Sequence, residues 1–271
     1  MKGRIPLSAK ADSPLRPFSM DALKVVLESS TASFRVPYFP AFQKSLPVPP
    51  ISTVIGIISC ALGERVRLKG LHFLGYIFTY EEIGLDVWTA HMWDRSASGE
   101  VKYAGTNIIT REVLSNARLT LYLPVKELWK GIFWRPSGIL SLGRSEDLAY
   151  VEVPPKVVKL EKVSSGEVRG VLLPKELGGV GQALRLPIYF SWAEPRTPVA
   201  TDLFFIIDAH SPAYVKDSQN KWLYKDTETG ENVIIYSRDW LLSRLSPNGK
   251  EVNRRDGCRR DKSKIHGGEP R

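Results

Sequence analysis

The sequence predicts an α+β fold: a ferredoxin-like (RRM-like) N-terminal domain with a protruding β-hairpin, followed by a smaller β-rich C-terminal part. Three observations predict it. The first half runs strand, helix, strand, strand, intervening segment, strand. A polar stretch from Trp93 to Thr110, too hydrophilic for a core, interrupts that order. The second half is a succession of short β-branched and aromatic runs separated by Gly and Pro turns.

The elements follow in chain order. Residues 1–20 are rich in Pro, Ser and Lys and read as an N-terminal extension. Ala22 to Glu28 alternates well enough for a first strand. Ser33 to Pro50 reads as a loop, in which Pro47, Pro49 and Pro50 hold the chain extended by fixing φ and biasing the preceding residues away from helix. Ser52 and Thr53 stand where a helix should begin, ahead of Val54, Ile55, Ile57, Ile58 and Leu62, and Gly63 stops it. Leu71 to Tyr80 and Leu85 to Met92 are aromatic and β-branched, as strands are. The polar arm at about 93–110 fits an extended hairpin turning at Ser98-Gly99. Asn107 to Ser115 is the candidate for a second helix, read as either a short helix or an irregular arm. Asn116 to Leu123 makes another strand, closed by Pro124.

Val125 to Trp134 then reads as a short amphipathic helix ended by Arg135-Pro136-Ser137-Gly138. Strands are expected at Ala149–Leu160, Val168–Leu173, Leu184–Trp192, Leu203–Ala209 and Asn232–Tyr236. No internal repeat of 20–50 residues is visible. The chain divides into the extension (1–20), the RRM-like domain (21–150), a β-rich part (151–245) and a basic tail (246–271). That tail lacks aromatics and periodic apolar positions and is read as disordered.

The 271 residues suffice for a substantial core. No apolar run approaches the roughly 18 residues needed to cross a membrane, and no signal peptide is recognised. Cys60 and Cys258 are the only cysteines, one in a predicted helix and one in the tail. That pattern points to a reducing cytoplasm and, without a Cys-x-x-Cys pair, away from a cysteine metal site. The formal charge is +9. Residues 1–20 carry four Lys/Arg against one acid, and 246–271 carry eight against four, so the body carries only +2. A nearly balanced body must attract nucleic acid through a local patch rather than a global field.

Several positions can supply such a patch. Arg35 and Lys44 flank Tyr38, Phe39 and Phe42, so the loop offers rings for bases and cations for phosphates; the bland reading is a loop pinned to the sheet by its aromatics. The helix start at Ser52-Thr53 would present unpaired N–H groups to an anion, or its hydroxyls would simply cap the helix. Leu142-Gly143-Arg144-Ser145-Glu146 holds one glycine and is weak as a phosphate loop. It reads equally as a turn leading into a strand, with Arg144 paired to Glu146 or Asp147. Arg95, Lys102 and Tyr103 flank the arm, and Arg111 follows it. Gly178-Gly179-Val180-Gly181 lacks the spacing of a dinucleotide fingerprint and reads as a flexible loop.

Catalytic signals are sparse. His72 and His91 fall in predicted strands, His210 ends one, and His266 lies in the tail. Only His91 near Lys102 and Tyr103, across the hairpin, could combine acid–base groups for metal-independent RNA cleavage. Glu81-Glu82 and Glu146-Asp147 are adjacent, so along a strand their side chains face opposite ways. No metal cage or nucleophile elbow is spelled out. The composition favours a binding protein; the alternatives are a metal-independent endoribonuclease and a stand-alone RRM-like RNA-binding module.

Two blocks of wording go further. Ser33-Phe34-Arg35, Leu46-Pro47-Val48-Pro49-Pro50, Ser52-Thr53-Val54-Ile55-Gly56 and Ala61-Leu62-Gly63 closely resemble the N-terminal signature of the CRISPR-associated Cas-five family, within the RAMP superfamily. Ser141 to Ala149 resembles that family's glycine-containing motif. The resemblance spans roughly residues 21–150. It implies a subunit of a type I CRISPR effector complex (Cascade), close to the archaeal or thermophile-type branch, acting in antiviral defence. Such a subunit holds the 5′ handle of the guide RNA and caps an array of Cas-seven backbone subunits. It docks the large subunit and meets target DNA only indirectly. The resemblance also implies that the polar arm is a thumb reaching along the guide RNA. One branch of the family cuts precursor guide RNA, but no Lys-His dyad of that kind stands in the hairpin region. Under this resemblance the RNA-binding candidates are Arg35, Lys44, Ser52, Thr53, Arg95, Lys102, Tyr103, Arg111, Arg144 and Ser145. No cofactor or metal and no membrane partner is expected.

Overall fold

A computed structural model of the chain describes residues 18–36, 42–191 and 195–245. Its first half contains strands β1 (Ser19–Ala32) and β2 (Phe42–Gln43), helix α1 (Ile51–Leu62), β3 (Phe73–Thr79), β4 (Ile83–Arg95), β5 (Val101–Pro124) and helix α2 (Glu127–Trp134). The second half contains β6 (Ala149–Lys162), β7 (Ser165–Val168), β8 (Val171–Pro174), β9 (Gln182–Phe190), β10 (Pro198–Ile207), β11 (Ala213–Lys216), β12 (Leu223–Asp226), β13 (Asn232–Ser237) and helix α3 (Arg238–Ser243). The architecture is mixed α+β and mostly sheet. The features expected of the termini, including Cys258 and His266, and the loop rings Tyr38 and Phe39, lie outside the described residues.

Four strands form the centre in the order β6-β1-β5-β3, every neighbour antiparallel. Helix α1 lies between β1 and β3 in the chain, and α2 between β5 and β6, so each helical connection joins strands that flank a third. Apolar periodicity explains the burial of α1: Ile51, Val54, Ile55 and Ile58 recur at helical spacing and are all buried. Gly63 ends the helix at φ 78°, its N–H donating to the carbonyls of Ser59 and Cys60. On α2, Trp129, Ile132 and Phe133 face the core.

Four expectations are corrected. Asn107–Ser115 is not a second helix but part of β5; its β-branched residues pair across to β4, with Ile108 opposite Thr89 and Val113 opposite Gly84. The hairpin is longer than 93–110: Ile83 pairs with Leu114 at its foot and Arg95 with Val101 near its tip, where Gly99 turns at φ 88°. Residues 85–92 therefore lie in the arm rather than the sheet. Helix α1 starts at Ile51 with Pro50 at the N-cap; proline has no side-chain acceptor, so there is no side-chain cap, and the amides of Thr53 and Val54 both bond to the Pro50 carbonyl. Ser52 and Thr53 are inside the first turn. Finally, the chain does not divide cleanly near 150. β6 pairs with β1, β12 joins β6 to β13, and β13 pairs with β3, so six strands close on themselves through the β1–β5 ladder. Closure leaves those six without an unpaired edge.

The stretch Val168–Leu173 is two strands because Gly170 (φ 60°) breaks it. There the Phe78 N–H donates to the Gly170 carbonyl at 2.8 Å, and a Cβ on Gly170 would lie 2.0 Å from the Phe78 carbonyl oxygen. Inside the closed sheet, Lys24 and Asp226, both buried, pair at 2.7 Å. The Tyr122 hydroxyl donates to the same carboxylate oxygen at 2.9 Å.

Candidate nucleic-acid interface

The two sequence blocks, more than a hundred residues apart, are held against each other by one buried carboxylate. Asp147 is 2 % exposed. It accepts from the hydroxyls of Thr31 (2.7 Å) and Ser33 (2.8 Å) and from the N–H of Arg144 (3.1 Å). The Ser33 N–H donates to the Leu142 carbonyl at 3.1 Å, and the Leu142 N–H to the Asp147 carbonyl at 2.8 Å. Gly143 makes this approach possible. At φ 123° a Cβ there would stand 2.0 Å from the Ser33 carbonyl oxygen, so no side chain fits. Phe34 anchors the other side, buried with its ring 5.1 Å from that of Phe78 in an edge-on contact.

Beyond Phe34 the chain turns outward. Arg35 bridges to Ser45, and the Val36 N–H donates to the Lys44 carbonyl at 2.9 Å, so Arg35 and Lys44 stand exposed on two adjacent arms of the loop. Ser45 ties them down: its hydroxyl accepts the Phe34 N–H, and its N–H donates to Glu112 of β5. β2 pairs with β5 at Thr110 and Arg111, which lays the loop against the foot of the arm. Phe42 is partly exposed there.

Arg111 and Arg144 meet at this foot in different electrostatic states. Arg111 is mostly buried and holds Asp86 at 2.6 Å and Glu146 at 2.9 Å. Burial works against its charge, yet the bonds to those carboxylates outweigh burial and raise its pKa. Arg144 reaches the Gln43 side-chain oxygen at 3.3 Å and lies 3.9 Å from Glu146. Burial, and then the positive charge of Arg111, lower its pKa. Its cation is the less compensated of the two and gains most from an added anion. Both line a cavity of about 460 Å³ with Gln43, Trp88 and Glu146. One wall thus offers a half-exposed indole, another an amide and a guanidinium. That set can stack a base, read an edge and hold a phosphate.

Other candidates fall elsewhere. Ser145 is exposed, its hydroxyl 3.3 Å from Glu146. Ser52 lines a different cavity, between α1 and β9, and Thr53 is half-exposed beside it in the chain. Arg95, Lys102 and Tyr103 are on the outer arm. Asp94, opposite Lys102, is eight residues beyond Asp86, about 26 Å of strand from the Arg111 pair. Tyr103 stacks edge-on with Trp93 at 5.3 Å and lies 6.1 Å from the His91 ring. Lys102 neighbours Tyr103 on the strand and so projects to the other face, toward Glu100 at 3.3 Å. His210 packs edge-on against Tyr80, whose hydroxyl donates to Asp208. Among the described residues no group of three His, Cys, Asp or Glu side chains is placed to hold a metal.

Reasoning from sequence missed Asp147 as the organising group and missed Trp88, Gln43 and Asp86. Trp88 sat in a β-branched run that reads as core. Only its alternation with Val87 and Thr89 carried a hint of a two-sided ribbon. The sequence also gave no sign of the apolar stripe on one arm face, where Ile83, Leu85, Val87, Trp93 and Ile108 are exposed.

No protein-family model matches the sequence, and no curated protein does. The fold has solved counterparts. The chain is similar to one in the type III-B Cmr-beta complex bound to cognate target RNA and AMPPnP, with a TM-score of 0.52 at 11 % identity, covering 77 % of this chain and 98 % of that one. It is also similar to a chain of a CRISPR RNA-guided surveillance complex (TM-score 0.45, 14 % identity, 72 % and 90 % covered) and to a crystallised CRISPR-associated protein (0.36, 14 %, 82 % and 100 %). At such identity the likeness establishes the fold alone, shared with the chain of the Cmr-beta complex. It does not single out the Cas-five family.

Proposed function

We propose that this chain is a non-catalytic, Cas-five-like subunit of a type I CRISPR effector complex (Cascade) that binds the 5′ handle of the guide RNA. The observation that carries the reading is the clamp at Asp147. It joins the two family-like blocks and sets Arg35, Lys44, Arg144, Gln43 and Trp88 around the foot of one long arm. The central order β6-β1-β5-β3, with its two split helical connections, supports a ferredoxin-like core for that site. On this reading Arg144, Arg35 and Lys44 take handle phosphates while Trp88 stacks a splayed base. The arm, with Arg95, Lys102 and Tyr103, lies over the first spacer nucleotides. Its apolar face packs on a neighbouring Cas-seven or large subunit, since an exposed stripe of that size is costly in water. Base pairing by the guide then selects the target. Among the described residues no helix is long and apolar enough to cross a membrane.

The test is titration with guide RNA carrying or lacking its 5′ handle, in EDTA, alongside labelled repeat RNA. The expected result is handle-dependent binding, no cleavage, and about tenfold weaker binding for Arg35→Ala and for Arg144→Ala, in line with ~1–3 kcal/mol per lost contact. Handle-independent binding indifferent to both substitutions refutes the site. A discrete, His91-dependent cut makes the chain a processing nuclease instead.

A further inference from the structure

The cavity at the foot of the arm has hydrogen-bonding directions that its own residues fix. Gln43 pairs with Arg111 and Arg111 with Asp86, so these three side chains share one face of β2, β5 and β4. Trp88 is two residues beyond Asp86 and points to the same face. The turn after Leu142 sets Arg144 and Glu146 over that row, and together with Gln43, Trp88 and Arg111 they line the one cavity. A guanidinium can only donate. Arg144, its Nη2 3.3 Å from the Gln43 Oε1, therefore pins the amide with its oxygen toward the arginine. Both amide hydrogens are left without a printed partner among the described residues, ready to donate. Glu146 supplies the opposite polarity. Its carboxylate is half-exposed, and Oε1 accepts from Arg111 at 2.9 Å while Oε2 lies 3.3 Å from the Ser145 hydroxyl. A backbone hydrogen bond, and then the bond to Arg111, hold its pKa below the ordinary value, so it is ionised and only accepts. Each carboxylate oxygen has two acceptor sites, so both keep capacity for a further donor.

We infer that this cavity selects guanine among the bases of a single-stranded RNA, with Glu146 and Gln43 as the residues that determine the choice. The inference rests on the handle-binding reading above and adds to it the identity of the base that Trp88 stacks. A carboxylate beside bound RNA repels every phosphate, so its place in the cavity is favourable only toward a base edge that donates. The edges differ in what they offer. Guanine carries two adjacent donors, N1–H and the N2 amino group, beside the O6 acceptor. Adenine and cytosine set one amino donor next to an acceptor nitrogen, and uracil has one N–H between two carbonyls. Only guanine satisfies both oxygens of Glu146 at once, and its O6 then falls to a donor, which the outward amide of Gln43 provides. Any other base leaves a carboxylate oxygen facing a lone pair. Arg111 is the positioning residue: by holding Glu146 and Asp86 together it fixes the carboxylate before RNA arrives.

Fluorescence-anisotropy titration of the full-length protein with guide RNA tests this, each handle guanosine being replaced in turn by adenosine or by inosine. Inosine removes the amino donor alone. The expected result is one position at which adenosine weakens binding about tenfold, the scale of a single bidentate base contact, and inosine weakens it less. Glu146→Gln should abolish that preference, because an amide accepts from the adenine amino group and donates to the ring nitrogen beside it. The guanosine-to-adenosine ratio is the readout, since loss of a negative charge strengthens both RNAs alike and a merely structural pair with Arg111 would leave the ratio where it was. An unchanged melting temperature verifies the fold of the variant, and the wild-type series needs no variant at all. Handle-dependent binding that is indifferent to every guanosine replacement overturns the proposal, as does an unchanged ratio in Glu146→Gln. Either result leaves the handle reading standing. Binding that is indifferent to the handle itself overturns that reading, and the guanine pocket with it.

Discussion

Replacing Asp147 with alanine removes the acceptor for three donors at once, and the cost can be worked from their geometry. The carboxylate is almost fully buried and lies 2.7, 2.8 and 3.1 Å from the Thr31 hydroxyl, the Ser33 hydroxyl and the Arg144 N–H. Hydrogen bonds to a charged group are worth about 1.5–3 kcal/mol each, and a buried donor left unpaired costs about 1–3 kcal/mol. The two hydroxyls can rotate toward other acceptors, but the Arg144 N–H is fixed by its backbone. Asp147→Ala should therefore cost about 3–5 kcal/mol, a large part of a typical stability of ~5–15 kcal/mol. Asp147→Asn should be mild, near 1 kcal/mol. Its amide oxygen can keep Ser33 and Arg144, and its NH2 can donate to Thr31 once that hydroxyl turns to accept. Urea denaturation of the two variants measures the difference, and handle-RNA titration of Asp147→Asn shows whether the loop stays in place. The reasoning is refuted if Asp147→Ala unfolds within about 0.5 kcal/mol of wild type, the range of an ordinary surface change, or if both variants cost the same.

Three further outcomes are expected. Gly143→Ala should destabilise by about 3 kcal/mol or more, since its Cβ would meet backbone and not a yielding side chain; hydrogen exchange at the Ser33 amide should rise with it, and slow exchange there would contradict the close approach. Trp88→Ala should weaken handle-RNA binding by about 1–3 kcal/mol with little change in melting temperature, as expected of a stacking ring; unchanged binding removes Trp88 from the site. Lys24→Met should cost about 3–5 kcal/mol by leaving the Asp226 charge buried without its partner, measured by urea unfolding at neutral pH. In the wild type, burial pushes the Asp226 carboxyl up, but Lys24, the Glu228 N–H and Tyr122 hold it below its ordinary 3.8. A depressed folded-state pKa stabilises above the unfolded value, so this contribution is present at neutral pH and is lost as pH falls below about 3.8 through the folded value. Acid titration of Lys24→Met should lack that loss.

Much of the fold could be read from local pattern. The helix at 51–62 announced itself through proline stiffening, apolar spacing and Gly63, and the strands at 22–28, 71–80 and 149–160 through β-branched alternation. The arm was recognisable as a polar interruption, but not its length. Ile83 to Met92 carries apolar residues on one side, and a lone strand of that composition belongs in a sheet. Only the pairing with Val101–Leu114 shows that it leaves the sheet and keeps that side exposed. The short strands at 213–216 and 223–226 fell below any periodic signal, because four residues do not establish a period.

The candidate site divides in the same way. Arg35, Lys44 and Arg144 could be proposed from residue type and wording, since cations beside rings and a glycine turn are local features. Arg111 could not be told from a free cation, because its partners Asp86 and Glu146 lie 25 and 35 residues away in the chain. Nor could Asp147 be distinguished from its neighbour Glu146. One is buried under Thr31 and Ser33, while the other is exposed and turned to Arg111. By itself the sequence determined the kinds of element, their order and which short stretches carry charge and rings, because these depend on residues a few positions apart. The tertiary structure decided the closure of six strands around Lys24 and Asp226, the meeting of the two blocks at Asp147, and which arginine is the less compensated. Those depend on contacts between distant segments, whose energies only the assembled fold brings within reach.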